Sequence, residues 1–180
     1  MICRVPLRPR ARRVALVLMD VDGVLTDGGI TFTESDRETR TFDAKDGVAL
    51  HIAHRLGLLT GVISGRGSAA VLRRARELRI DEIHLKANDK LVTYERLLRR
   101  RRLSDPQVCY IGDDLVDLPV LARAGMAVAV ADAHPEVKRR AAFITRASGG
   151  RGAVREVIDA ILRAQGRWET VMAWFVRGDS

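Results

Sequence analysis

Val14-Ala15-Leu16-Val17-Leu18-Met19-Asp20-Val21-Asp22-Gly23-Val24-Leu25-Thr26-Asp27-Gly28 runs from an apolar segment straight into acids and glycine. A run of Val and Leu bounded by Asp and Gly reads as a strand buried on both faces, which marks a central strand of a parallel sheet. Open parallel sheets place their chemistry outside the carboxyl ends of the strands. Asp20 and Asp22 lie at that end. Two residues apart on an extended chain, their side chains point the same way. Two carboxylates so placed repel, and the pair calls for a divalent metal or a phosphate-binding Lys or Arg beside it. The plainer reading is a strand that ends in an acidic turn.

Working outward, the 180 residues suit one domain with a real core. The composition is globular, with 47% hydrophobic and 30% charged residues. No apolar run approaches the roughly 20 residues needed to span a bilayer. The basic N-terminal dozen is not followed by a secretory signal pattern, and Cys3 and Cys109 do not suggest a disulfide framework, so a reducing cytoplasm is expected. Net charge is +8, from 31 Lys+Arg against 23 Asp+Glu, which favours anionic partners such as phosphorylated metabolites. Nucleic acid is the rival partner, given the arginines at Arg8 to Arg13, Arg73 to Arg79 and Arg96 to Arg102. With 4% aromatics there is little to stack on bases, and the second and third clusters read equally as solvated helix faces.

In chain order, residues 1–12 read as a basic disordered tail and residues 13–166 as the domain. A hairpin is expected over about residues 28–43, with Ile30 and Phe32 before a polar tip and Thr39, Thr41 and Phe42 after it. A helix capped by Asp43 or Asp46 reaches about Arg55. Strands follow at Leu58 to Ile63, Glu82 to Leu85, Val108 to Ile111, Ala127 to Val130 and Phe143 to Thr145. Helices fall between them: one after Ser68, one from Asn88 or Asp89, one over Leu115 to Ala124 and one over Pro135 to Ala142. The last long helix is Ala153 to Gln165, and residues 167–180 read as an irregular tail anchored by Trp168, Trp174 and Phe175. Alternating strands and helices predict an α/β fold, a Rossmann-like doubly wound parallel sheet with a hairpin extension.

Three strand ends now carry polar clusters: Asp20 with Asp22, Ser64 with Arg66, and Asp113 with Asp114; Lys90 follows a fourth strand. A parallel sheet gathers such ends at one edge, where carboxylates for Mg²⁺, a hydroxyl, a lysine and backbone amides form a kit for phosphoryl transfer. The order Asp20-Val21-Asp22-Gly23-Val24, Ser64-Gly65, Lys90 and Gly112-Asp113-Asp114 with Asp117 resembles the four motifs of the haloacid dehalogenase-like phosphatases. Asp20 to Gly29, Lys45-Asp46-Gly47, Ala129 to Pro135 and Gly149 to Glu156 narrow the resemblance to the capless branch that hydrolyses 3-deoxy-D-manno-octulosonate 8-phosphate.

That resemblance implies a Mg²⁺-dependent phosphomonoesterase of lipopolysaccharide precursor synthesis. In it, Asp20 is the nucleophile and Asp22 the general acid and base. Ser64 and Lys90 hold the phosphoryl group; Asp20, the Asp22 carbonyl and Asp113 hold the metal. Asp114 and Asp117 either orient Lys90 or metal-bound water, or simply cap a helix. For the sugar acid, the resemblance points to Asp22, Asp43, Ala44, Lys45, Asp46, Gly47, Arg66, Arg74 and Lys90. His51 stands where relatives carry a basic residue. The resemblance further implies a homotetramer whose hairpins stand in for the missing cap domain. The alternatives are a phosphatase for a nine-carbon sialic-type acid 9-phosphate and a non-catalytic binding protein on the same scaffold. His54 and His84 read as surface or packing residues, His134 before Pro135 as extended ahead of a helix start, Cys109 as a buried small hydrophobe, and Gly149 to Gly152 as either an anion cradle or a loop.

Overall fold

The computed structural model describes residues 7–35 and 38–178. Helix α1 (Leu7–Arg13) leads into strand β1 (Leu16–Met19), followed by the hairpin strands β2 (Thr31–Phe32) and β3 (Glu38–Thr39). Then come α2 (Ala44–Arg55), β4 (Leu59–Ile63), α3 (Ala69–Glu77), β5 (Glu82–His84) and α4 (Lys90–Arg101). The second half holds β6 (Val108–Gly112), α5 (Leu118–Leu121), β7 (Met126–Ala129), α6 (Pro135–Arg140), β8 (Phe143–Ile144), α7 (Ala153–Ala164) and α8 (Trp168–Arg177). The six-stranded sheet has the order β5-β4-β1-β6-β7-β8, every pair parallel. α2 packs on α7 and α7 on α1, while α4 packs on α5, so helices flank the sheet as expected.

β1 is central because each of its residues is wholly buried, and Leu, Val and Met carry no polar atom that burial would strand. Its register decides where the site falls. Met19 lies opposite Val62 on β4 and Ile111 on β6. The next residues of the three strands are therefore Asp20, Ile63 and Gly112, and the acids and Ser64 emerge together at one edge. The chain moves from β1 to β4 on one side and reaches β6 on the other, so the crevice for a ligand opens beside β1.

Three expectations are corrected. A disordered tail is expected over residues 1–12, but Leu7–Arg13 is helical; residues 1–6, with Cys3, lie outside the described residues. α1 buries one small residue, Ala11, and packs Leu7 only partly against the core, too faint a stripe to read as a helix. What holds it is polar: Arg10 Nη1 donates to the Gly125 carbonyl at 2.6 Å, and Gln165 Nε2 donates to the Val14 carbonyl at 2.7 Å. The irregular C-terminal tail is also helical, α8, with Val171 buried and Trp174 lying over Arg55 at 3.9 Å. The helix over Leu115 to Ala124 is really a 3-10 turn (Leu115–Asp117) plus the one-turn α5, where Pro119 fits the first turn. The hairpin forms, with Phe32 opposite Glu38, but each strand is only two residues long. Its expected tip at Asp36 lies outside the described residues.

Candidate active site

At the edge of the sheet lies a cavity of about 530 Å³, lined among others by Asp20, Asp22, Ser64, Arg66, Lys90 and Asp113. Asp20 follows β1, and its backbone N–H bonds the Ile111 carbonyl of β6 at 3.0 Å, which continues the sheet by one residue. Its carboxylate cannot turn. Oδ1 accepts the Val21 N–H at 2.7 Å, and Oδ2 sits 2.8 Å from Lys90 Nζ. Lys90 is the first residue of α4, whose N-terminus is set by Asp89 accepting the Val92 N–H. The ammonium meets a second acid, Asp117 Oδ1, at 2.7 Å. Burial works against the Lys90 charge, but Asp20 and Asp117 outweigh it and hold its pKa above the ordinary value.

Asp117 is the organiser rather than a helix cap alone. It is fully buried. Oδ1 takes Lys90 and the Tyr110 hydroxyl at 2.7 Å, and Oδ2 takes the Asp113 and Asp114 amides at 3.0 and 3.3 Å. Asp114 instead caps its own turn by accepting the Leu115 N–H. Ser64, after β4, accepts the Arg66 N–H on its Oγ at 3.1 Å, which leaves the hydroxyl proton free to be donated into the cavity.

The acids of the cavity suit a cation. Burial, then Asp117, pushes Asp20 up to about 6; burial, then Asp117 and Asp20, pushes Asp113 up to about 7. Asp113 Oδ1 is buried without a hydrogen-bond partner. Carboxylate oxygens of Asp20, Asp113 and Asp117 lie within 4.8 Å of one another. Because Asp117 is saturated by its four donors, Asp20 and Asp113 are the side chains left for an ion. An all-oxygen set with one orphaned acceptor fits a hard divalent cation such as Mg²⁺.

Glycines bring the loops this close. Gly23 has φ +86°, and a Cβ there would lie 2.1 Å from Asp113 Oδ2. Gly149 packs so tightly that a Cβ would stand 1.8 Å from the Gly23 carbonyl oxygen. The run Gly149 to Glu156 is thus a brace behind the nucleophile loop: Gly149 N–H bonds Asp132 at 2.9 Å and Gly150 N–H bonds the Val24 carbonyl at 2.9 Å. The anion at the start of α7 is internal. Asp46 Oδ1 accepts the Arg155 N–H at 2.7 Å, and burial pushes its carboxyl up to about 6. Asp46 is therefore tied beneath α7 and does not line the cavity.

The chain between the site and its expected substrate contacts is equally plain. Asp43 caps α2 by accepting the Lys45 N–H at 2.6 Å. Gly47 makes room for Arg74, whose Nη1 is 2.9 Å from Glu77. Asp43, Ala44, Lys45, Gly47 and Arg74 all stand outside the cavity, whereas Arg66 lines it. His51, His54 and His134 are exposed, and His84 bonds Glu82 at 3.0 Å. Arg100 and Arg101 clasp the same Glu82, so part of the third arginine cluster serves the fold.

A family model described as haloacid dehalogenase-like hydrolase matches residues 79–158. The 3-deoxy-D-manno-octulosonate 8-phosphate phosphatase KdsC of Yersinia pestis is 42% identical over 160 residues, covering 89% of this chain and 86% of the relative. The chain belongs to the 3-deoxy-D-manno-octulosonate 8-phosphate phosphatase family. Two solved structures of such phosphatases superpose closely. That from Yersinia pestis gives a TM-score of 0.89 at 42% identity, over 91% of this chain and 88% of that one. That from Moraxella catarrhalis, in complex with magnesium ion, phosphate ion and KDO, gives 0.92 at 37% identity, over 94% and 97%. Two residues of this family member went unread in sequence: Tyr110, hidden in an apolar strand, and Arg40, which pairs with Asp22 at 2.9 Å. Only the tertiary contact distinguishes Tyr110 from ordinary core. For Arg40 the sole hint was a cation in a hairpin on the side of the paired acids.

Proposed function

We propose that the chain is a phosphomonoesterase that hydrolyses 3-deoxy-D-manno-octulosonate 8-phosphate to the free sugar acid and phosphate, in cytoplasmic synthesis of lipopolysaccharide precursors. The observation that carries the chemistry is the immobilised Asp20 carboxylate, held by Lys90 and its own backbone in a cavity shared with Ser64, Asp22 and Asp113. The substrate rests on the family relationship and on a basic chain of net charge +8.

In this reading an Asp20 oxygen attacks phosphorus, the bond to the sugar oxygen breaks, and the departing oxygen takes the Asp22 proton. Water then attacks the aspartyl-phosphate, gives its proton to Asp22, and phosphate leaves with Asp20 restored as a carboxylate. Lys90 and the Ser64 hydroxyl receive the phosphoryl oxygens, and Asp117 keeps the ammonium in place. Asp20, the Asp22 carbonyl and Asp113 would hold Mg²⁺, which when bound supplies Lewis-acid charge at the phosphoryl group.

A homotetramer goes with this reading. A hairpin of two-residue strands with Ile30 and Phe32 exposed is too small to stand alone. Lys45 and Arg74 lie outside the cavity of their own subunit, so their part in binding sugar acid calls for a neighbouring copy. Sedimentation of a fully active monomer would sink that part of the proposal. The substrate is tested by phosphate release with Mg²⁺ from eight-carbon and nine-carbon keto-acid phosphates, hexose phosphates and a nucleotide. The eight-carbon acid is expected to lead in kcat/KM. A nine-carbon preference would keep the mechanism and change the substrate, and no release from any ester would overturn the reading.

A further inference from the structure

Arg40 follows β3, eighteen positions from Asp22 in the chain, yet its side chain has no exposed surface. Nε lies 2.9 Å from Asp22 Oδ1 and one terminal nitrogen 3.0 Å from Glu38 Oε1, both as close charge pairs outside hydrogen-bond alignment, and the other terminal nitrogen donates to the Gly29 and Thr39 carbonyls at 3.3 and 3.4 Å. Glu38 in turn reaches Arg66 of the cavity wall at 3.5 Å. Hairpin glue needs only the two carbonyls and Glu38. The contact with Asp22 has no such purpose, because it ties the hairpin to the one loop that carries chemistry. Asp22 Oδ1 is buried against Arg40, while the Asp22 side chain as a whole keeps 22% of its surface exposed at the cavity. One oxygen is thereby held by the Arg40 charge, without a hydrogen bond, and the rest of the carboxyl is presented to the ligand.

We propose that Arg40 is a positioning residue for the Asp22 carboxyl, fixing the proton donor against the departing sugar oxygen; this rests on the phosphatase reading above. The step it serves is balanced within that reaction: the phosphorus–oxygen bond breaks, its electron pair stays on the sugar oxygen, and the Asp22 proton passes to that oxygen. An alkoxide leaves poorly without that proton, whereas a nitrophenolate leaves well without it. A donor out of place therefore harms sugar phosphates selectively in kcat/KM, which reads the leaving-group step. The later hydrolysis of the shared aspartyl-phosphate, which Asp22 also serves, enters only kcat. A residue that merely stabilises the fold harms both esters alike.

The test compares kcat and KM of wild type, Arg40→Met, Arg40→Lys and Glu38→Gln on the 8-phosphate and on p-nitrophenyl phosphate. For Arg40→Met, kcat/KM on the sugar phosphate is expected to fall about 10- to 100-fold, with kcat/KM on the aryl ester changed by less than about 3-fold. Arg40→Lys keeps the charge without the fork and is expected to recover most of the loss. Glu38→Gln loosens Arg40 and is expected to give a smaller loss with the same selectivity, so the test survives if Arg40→Met fails to fold. Parallel losses of kcat/KM on both esters, or an unchanged or higher kcat/KM on the sugar phosphate, would overturn the proposal. If wild type cleaves the aryl ester but not the 8-phosphate, the substrate reading fails by itself. The Arg40 comparison is then decided by the same ratio on a simple primary-alcohol phosphate.

Discussion

Both oxygens of Asp117 are occupied, by Lys90 and Tyr110 on one side and by two backbone amides on the other. A buried charge with four donors is satisfied, and it can hold Lys90 without competing for a cation. Asp113 has the opposite character, with one oxygen orphaned, and the contrast separates the organiser from the ligand. Asp46 is another buried acid, and it does not line the cavity. Burial raises it to about 6, against the helix amides that pull it down. Its proton is held more tightly in the folded chain than in the unfolded one. The stability gained is complete below the unfolded value near 4 and is lost as pH rises through about 6. Asp46→Asn keeps a neutral group at every pH. Urea denaturation of both proteins at about pH 4 and about pH 7 is expected to show wild type losing up to about 3 kcal/mol that the variant does not lose. Parallel profiles would place the Asp46 proton elsewhere.

The strands that build the site were legible because strands buried on both faces read as unbroken apolar runs, and β1, β4 and β6 each end in a change to Asp, Ser or Gly. Lys90 was legible from the helix start behind Asp89. What stayed hidden depends on contacts across long stretches of chain. α8 does carry a periodic stripe, Trp168, Val171, Met172 and Phe175, which the irregular-tail reading did not use, whereas α1 is held by arginine and glutamine reaching carbonyls and leaves no strong one. The internal role of Asp46 was hidden for the same reason, since its partner Arg155 is on α7. Gly149 shows what such contacts demand of an element. A methyl group there meets the Gly23 carbonyl, so Gly149→Ala must push the brace off the loop that carries Asp22. The expected cost is about 1–3 kcal/mol in chemical denaturation, with a matching fall in kcat. Unchanged stability and turnover would show that the brace is slack.

For the molecule as a whole, the sheet edge concentrates acids that resist sharing one site. Burial, then the Asp117 charge, pushes Asp20 up to about 6 and Asp113 up to about 7, so their contribution to stability is lost as pH rises through that window. A divalent ion binds the deprotonated pair and reverses the loss. The rise in Tm on adding Mg²⁺ to chelator-treated protein is therefore expected to grow between about pH 5 and about pH 8. An increment that does not change with pH would separate the ion from these carboxylates. The central claim, that Asp20 is the nucleophile of a Mg²⁺-dependent phosphatase, is tested most directly by phosphate release from 3-deoxy-D-manno-octulosonate 8-phosphate. Wild type and Asp20→Asn are measured side by side, with Mg²⁺ and with chelator. Wild type is expected to turn over only with the ion, and Asp20→Asn to lose at least about 10³-fold in kcat. An Asp20→Asn rate within about 10-fold of wild type would contradict the account, because a true nucleophile cannot be replaced so cheaply.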